Sequence, residues 1–353
     1  MLPEQVKQAR HRCWLGIFMA LWLPVCLGGC YLTGVSAGHL ALMADRRPID
    51  AIVADADTEA GLRERLQYVR EARSFASYGL ALPDNGSFTT YVALDRPYVA
   101  WNVFAAPEFS TEPREWCFVV AGCVSYRGYF SERQAVEYAR QLAARGWDVH
   151  VSPVAAYSTL GHFDDPVLSS VLGYGDVELA GLIFHELAHQ VVYVSGDSAF
   201  NEAFATAVEI EGVKRWLDGL GRFEDLVDFL EGRRRLLAVA GLMRETRQRL
   251  ASIYDAAGST AALREAKAGE FARMQTAYQI MSQSWDRGPT FRGLVMGQFN
   301  NARLAAAATY HECLPGFQRL LGELDGYLQG FYRAVRRLGR LTAEERRRVV
   351  CIN

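Results

Sequence analysis

The sequence predicts an α+β fold that is mainly α-helical. Apolar residues recur at helical spacing through 58–78, 131–145, 177–217, 223–249 and 260–285. Short alternating runs bounded by Gly, Pro, Asn and Asp are confined to 81–160, so the sheet is small and antiparallel or mixed. With 353 residues, 50% of them hydrophobic and 22% charged, the chain has ample length for a core. A formal net charge of −2 gives no footprint for nucleic acid.

Residues 1–29 differ from the rest. Lys7, Arg10 and Arg12 precede an uncharged run from Cys13 to Leu27, and Gly28-Gly29-Cys30 follows. This pattern reads as a secretory signal, since a spanning helix needs about 20 apolar residues. The ending Leu27-Gly28-Gly29-Cys30 resembles a bacterial lipobox. That resemblance implies removal of 1–29 and a lipid on Cys30 that holds the chain to a membrane. An uncleaved signal or a plain membrane anchor is the alternative. Tyr31 after the cysteine implies, by the same resemblance, the outer membrane, with the chain in the bacterial cell envelope and facing the periplasm.

Residues 30–353 then form a single domain. The part from 31 to 80 is helical: Tyr31–Met43 first, then Thr58–Tyr78 with Leu62, Leu66, Val69 and Phe75 near helical spacing. Pro83-Asp84-Asn85-Gly86 is a turn. Strands are expected at Phe88–Val92, Tyr98–Phe104, Trp116–Val124 and Asp148–Val151, with a helix over Ser131–Arg145 capped by Ser131. Beyond residue 218 the chain is helical, with long helices over Phe223–Arg249 and Thr260–Trp285. A helix carrying Asn301 runs to Leu314, and a last one spans Ala343–Val349. The run Arg233-Arg234-Arg235 reads as a solvated face. Of seven cysteines, Cys117, Cys123, Cys313 and Cys351 lie in the mature, helix-and-sheet part. In an oxidising compartment Cys117–Cys123 is the expected disulfide, and Cys313–Cys351 a second candidate; buried free thiols are the alternative.

The chemistry concentrates in Leu182–Val208. His185-Glu186-Leu187-Ala188-His189 lies in an apolar stretch that reads as a helix from Val177 to Val194, with Asp176 as N-cap. Residues four apart share a helix face, so both imidazoles can meet one zinc ion. Glu186 lies ~100° round the helix from His185. There it can take a proton from an attacking water. Ser195-Gly196-Asp197 breaks the helix, and a second helix starts near Ser198 and runs to about Leu217. It carries Asn201-Glu202-Ala203, twelve residues separating His189 from Glu202. Two histidines and Glu202, with a fourth position open, form a catalytic zinc set, one ion per chain. A buried histidine pair bonded to backbone carbonyls and Glu202 is the plainer alternative. Glu209 lies seven residues past Glu202, nearly on the same face. It either orients a histidine or is a solvated helix charge.

H-E-x-x-H followed by N-E-A resembles the gluzincin metallopeptidases, thermolysin among them, although their spacer is longer. The wider context, TLGHFDDPVL, LIFHELAHQVVY and FNEAFAT, resembles a bacterial family of predicted aminopeptidases. The likeness covers nearly all of the chain after residue 29, including Cys117–Arg127 and Asn300-Asn301-Ala302-Arg303. It implies a gluzincin-like zinc helix pair and a peptide substrate, with Glu186 as general base. By chain order it implies Tyr310, with His311 as the other candidate, as the group that stabilises the oxyanion. It assigns substrate contact to 154–161, including Tyr157, and to Asn301. The M1 aminopeptidases among the gluzincins bind the free amine through a G-x-M-E-N segment that is absent here, so Glu209, Asp164 or Asp165 would have to serve. The expected function is therefore a zinc peptidase, in the first place an aminopeptidase. An endopeptidase, or a non-catalytic zinc-stabilised binding or scaffold lipoprotein, is the alternative.

Overall fold

The computed structural model describes residues 31, 33–118, 122–256, 258–308 and 313–351. The signal-like stretch, Cys30, Tyr310 and His311 lie outside them. The chain divides into two units, Met1–Asp45 and Arg46–Asn353. In the first, residues 33–44 form helix α1. No helix among the described residues is long and apolar enough to cross a membrane.

The second unit is mainly helical with small sheets. It opens with β1 (Arg47–Pro48), α2 (Ile49–Ala54), α3 (Ala60–Tyr78), β2 (Thr90–Val92) and β3 (Ala100–Pro107). Next come β4 (Trp116–Phe118), β5 (Gly122–Val124), β6 (Arg127–Tyr129), α4 (Glu132–Ala143) and β7 (Trp147–Val154). β8 (Val167–Leu168) and α5 (Ser169–Leu172) lead into α6 (Asp176–Val191) and α7 (Ser198–Gly219). α8 (Phe223–Asp255), α9 (Thr260–Ser282), α10 (Arg292–Val295), α11 (Asn301–Ala308), α12 (Leu314–Gly322), α13 (Leu328–Leu338) and α14 (Ala343–Val350) complete it.

β3 is the centre of an antiparallel sheet ordered β6-β3-β7, with β7 in register from Ala100↔Val154 to Pro107↔Trp147. A smaller sheet, β1-β2-β8, is mixed. The expected single strand over Trp116–Val124 is a β4–β5 hairpin instead. Gly122 adopts φ +75°, which glycine tolerates, and Cys117 pairs with Cys123 across the register in a disulfide.

The main core surrounds α6 and α7. Leu179, Ile183, Phe184 and Leu187 from α6 and Phe200, Phe204 and Val208 from α7 meet Leu66 and Val69 of α3, Phe317 of α12 and Phe331 of α13. A second core joins α8, α9 and α11 through Val239, Met243, Leu250, Phe271, Met274 and Leu304. Its demand for Leu250, Ile253 and Tyr254 carries α8 on to Asp255, past the expected end at Arg249.

Two helix ends also differ from expectation. Gly175, not Asp176, is the N-cap of α6, because the Asp176 carboxylate is drawn to Arg65 at 2.6 Å and Arg222 at 3.2 Å. In the first turn it still complements the positive end of the helix dipole. α11 is described to Ala308, and Leu314 opens the separate helix α12 with Pro315 in the first turn, where a missing N–H is harmless. A second disulfide, Cys313–Cys351, joins the start of α12 to the end of α14.

Candidate metal centre

α6 and α7 bring three ligand atoms together. His185 Nε2 lies 3.2 Å from His189 Nε2 and 3.3 Å from Glu202 Oε2. His189 Nε2 lies 3.7 Å from Glu202 Oε1. The three residues could hold a metal ion. A tetrahedral zinc site with bonds of about 2.0–2.2 Å has ligand–ligand edges of about 3.3–3.6 Å. Glu202 presents a different oxygen to each imidazole, and the observed separations are close to such edges, so the donor set fits zinc.

The twelve-residue spacer suffices because the turn is tightly tied. Asn201, fully buried, accepts from the Val194 N–H and donates to the Val194 carbonyl, both at 2.8 Å. Gly196 takes φ +79°, and Asp197 caps α7 by accepting from Phe200 N–H at 3.2 Å. Gly122 of the disulfide hairpin packs beneath: a Cβ there would meet Ser195 Oγ at 2.4 Å. Glu202 consequently sits in the second turn of α7, facing the two imidazoles.

Glu209 lies behind His185. Its Oε2 is 3.2 Å from His185 Nδ1, and Arg233 of α8 pairs with its Oε1. Gly181 makes room for this: a Cβ there would lie 3.1 Å from Glu209 Oε1 and 3.3 Å from its Cγ. His189 has no such support among the described residues, where its Nδ1 is buried without a partner. The expected solvated Arg run is thus split by packing. Arg233 serves Glu209, and buried Arg235 bonds Glu231 and the Arg287 carbonyl. Arg234 is exposed and pairs with Glu231 on the same helix.

The charges are strongly coupled. Burial pushes His189 down to about 4, with His185 adding to the shift. Burial also opposes charge on His185, but the hydrogen bond and charge of Glu202 outweigh it and raise its pKa. Burial lifts Glu186 to about 7; His185 opposes this, Glu202 reinforces it, and hydrogen bonding by Ser158 holds it lower. A carboxyl poised near neutrality beside the ligand triangle is suited to proton transfer.

Ser158 belongs to the loop between β7 and β8. Fully buried Asp165 organises that loop, accepting from Thr159 N–H and Thr159 Oγ1 at 2.8 Å each and from Ser158 Oγ at 3.3 Å. Tyr157, in the same loop, packs its ring 5.4 Å from that of Phe130, and burial followed by the charge of Asp165 pushes its phenol to about 12. Arg73, buried in α3, binds the carbonyls of Pro83, Asn85 and Ser87. Asn85 and Ser87 then bond Gln190, the residue after His189.

Asn301 lies elsewhere. Its amide donates to the carbonyls of Pro107 and Glu108, its Oδ1 accepts from Tyr254, and its N–H donates to Asp148. These bonds tie the sheet to α8 and α11, and no bond of Asn301 reaches the ligand triad. Among the carboxylates considered for a substrate amine, Glu209 is engaged by His185 and Arg233, and Asp165 by its loop.

Ser158 and Arg233 carry no signal within the motif itself. Both reach the site by tertiary packing.

A family model described as "Putative aminopeptidase" matches residues 30–350. No curated protein and no solved structure gives a significant match.

Proposed function

The chain belongs to this putative aminopeptidase family, and on that premise we propose that it is a zinc-dependent peptidase that hydrolyses peptides at the α6–α7 centre. The observation that carries the reading is the triangle of His185, His189 and Glu202, with edges of 3.2–3.7 Å, beside Glu186. His185, His189 and Glu202 would hold the ion and leave a fourth position open. When bound, zinc would supply Lewis acidity to the substrate carbonyl and to the attacking water.

The protein residues do the rest. Glu209 fixes the orientation of His185, and Arg233 holds Glu209. Glu186 takes one proton from water as its oxygen bonds to the carbonyl carbon. It returns that proton to the amine nitrogen as the C–N bond breaks. Ser158 limits the rise in the pKa of Glu186.

Family membership favours exopeptidase action at the amino terminus. The commitment of Glu209 and Asp165 to internal partners leaves an internal cut of the peptide as the second reading. The test is hydrolysis of a mixed peptide library, free and end-blocked, by wild type and Glu186→Gln, with metal content measured on both. Stoichiometric zinc in both and activity in wild type alone is expected. Equal cleavage by the variant would remove Glu186 from the mechanism, and protein without zinc from metal-replete medium would remove the site. Cleavage of end-blocked peptides would favour the endopeptidase.

The lipoprotein reading of residues 1–30 is part of the proposal, with the enzyme held at the periplasmic side of the cell envelope. Mass spectrometry of the wild-type membrane fraction that found residues 1–29 retained, or Cys30 without lipid, would refute lipid anchoring.

A further inference from the structure

Tyr193 stands beside the metal centre without a structural task. Its ring lies 6.5 Å from that of His189, edge-on at 76°. It is half-buried, and the charge of Glu202 reaches its phenol. Yet its hydroxyl has no hydrogen-bond partner among the described residues.

Four other tyrosines of the fold differ. Tyr332 donates to the Leu80 carbonyl, Tyr278 to the Thr290 carbonyl, Tyr68 to the Asp176 carbonyl and Tyr254 to Asn301. A buried phenol normally finds such a partner, because the lost hydration must be replaced. Tyr193 keeps its donor uncommitted on a ring that packs against His189.

Its position is also rigid. Val192 ends α6 in an extended conformation, φ −145° and ψ 126°. Val194, the next residue on, is pinned at both backbone groups by Asn201. Asn201 is the immediate neighbour of Glu202. The turn that delivers the third ligand therefore also fixes the backbone of Tyr193, and donor and ligand are set by one local structure.

We propose that Tyr193 is a catalytic residue whose hydroxyl donates a hydrogen bond to the carbonyl oxygen of the peptide under attack as negative charge builds on it. The role rests on the peptidase reading above. A preorganised donor aimed at developing charge contributes more to the transition state than to the ground state. Removing one such donor lowers kcat by about 100- to 1,000-fold.

The test uses Tyr193→Phe in the zinc-loaded full chain, which keeps the ring and its packing. The substrate is the best-cleaved peptide of the library. A phosphinic analogue of that peptide mimics the anionic tetrahedral state, and a ketomethylene analogue mimics the uncharged ground state. Expected are a kcat lower by about 100-fold with KM within about two-fold, unchanged zinc content and melting temperature, and calorimetric affinity lost for the phosphinic analogue only. Wild-type kcat in the variant, or equal loss of affinity for both analogues, would overturn the role of Tyr193 and leave the peptidase reading standing. A wild-type protein that cleaves no member of the library would overturn both.

Discussion

His185 presents its Nδ1 to Glu209 Oε2 at 3.2 Å, while its Nε2 faces Glu202 at 3.3 Å. One imidazole thus lies between two carboxylates of the same helix, seven residues apart. The outer one fixes which nitrogen carries the proton, leaving Nε2 free to ligate. Arg233 pairs with Glu209 and holds it in place. Replacing Glu209 by Gln should weaken zinc binding by about 10- to 100-fold, as loss of outer partners does elsewhere. Arg233→Met should weaken it by less, since Glu209 can still reach His185. Competition against a chelator of known affinity measures both. A Glu209→Gln variant with wild-type affinity would mean that the contact is incidental.

Gly181 gives a sharper version of the same test. In a helix interior Ala is better than Gly by about 0.8–1.0 kcal/mol. An added methyl, however, would stand 3.1 Å from Glu209 Oε1 and 3.4 Å from Val213 Cγ2. Gly181→Ala should leave the metal-free protein as stable as wild type or slightly more so, while zinc affinity drops several-fold. Urea unfolding of metal-free protein and a zinc titration separate the two effects. A parallel fall in both would mean that the methyl disturbs α6–α7 packing at large.

The meeting of His185, His189 and Glu202 was legible because helix spacing alone puts His185 and His189 on one face, and because Asn201-Glu202-Ala203 opens the next helix. The helical class and the hairpin disulfide could also be read locally. What could not be read depends on distant packing. Nothing in three consecutive arginines says that Arg233 will find Glu209 while Arg234 stays in water. Asn301 carried the chemistry of a substrate contact, but the meeting of α11 with the end of β3 gives its amide to Pro107, Glu108 and Tyr254. Asp176 had the side chain of an N-cap, and two arginines brought close by α3 and the α7–α8 turn diverted it.

His150 makes a prediction for pH. It stands opposite Phe104 in the β3–β7 register, with ring centroids 6.4 Å apart. Burial first, then the charge of Arg303, lowers its pKa below the usual 6.5. A depressed histidine contributes stability that is full above its unfolded pKa. That contribution is lost as pH falls through the folded value, because the unfolded chain takes up the proton first. The wild type should therefore lose unfolding free energy faster than His150→Gln as pH falls from 7.5 to 5.5, by at most about 1.4 kcal/mol per pH unit. Parallel pH profiles in urea melts would remove His150 as a source of acid sensitivity.

The two disulfides should differ in weight. Cys313–Cys351 closes 38 residues and Cys117–Cys123 only 6. By loop entropy the longer one contributes about 4 kcal/mol and the shorter about 2 kcal/mol, acting mainly on the unfolded chain. Cys351→Ser should accordingly lower the unfolding free energy by about 4 kcal/mol and Cys123→Ser by about half as much. Zinc affinity of the folded protein tells whether the effect stays in the unfolded state. α12 is held to α7 independently of the bond, for Phe317 packs on Phe200 at 5.1 Å and Phe204 at 6.0 Å. Gly316 also sits directly against the Val350 backbone. Native Cys351→Ser should therefore bind zinc as wild type does, despite its lower stability. A loss of affinity in step with stability would mean that the bond holds α12 against the helix that carries Glu202.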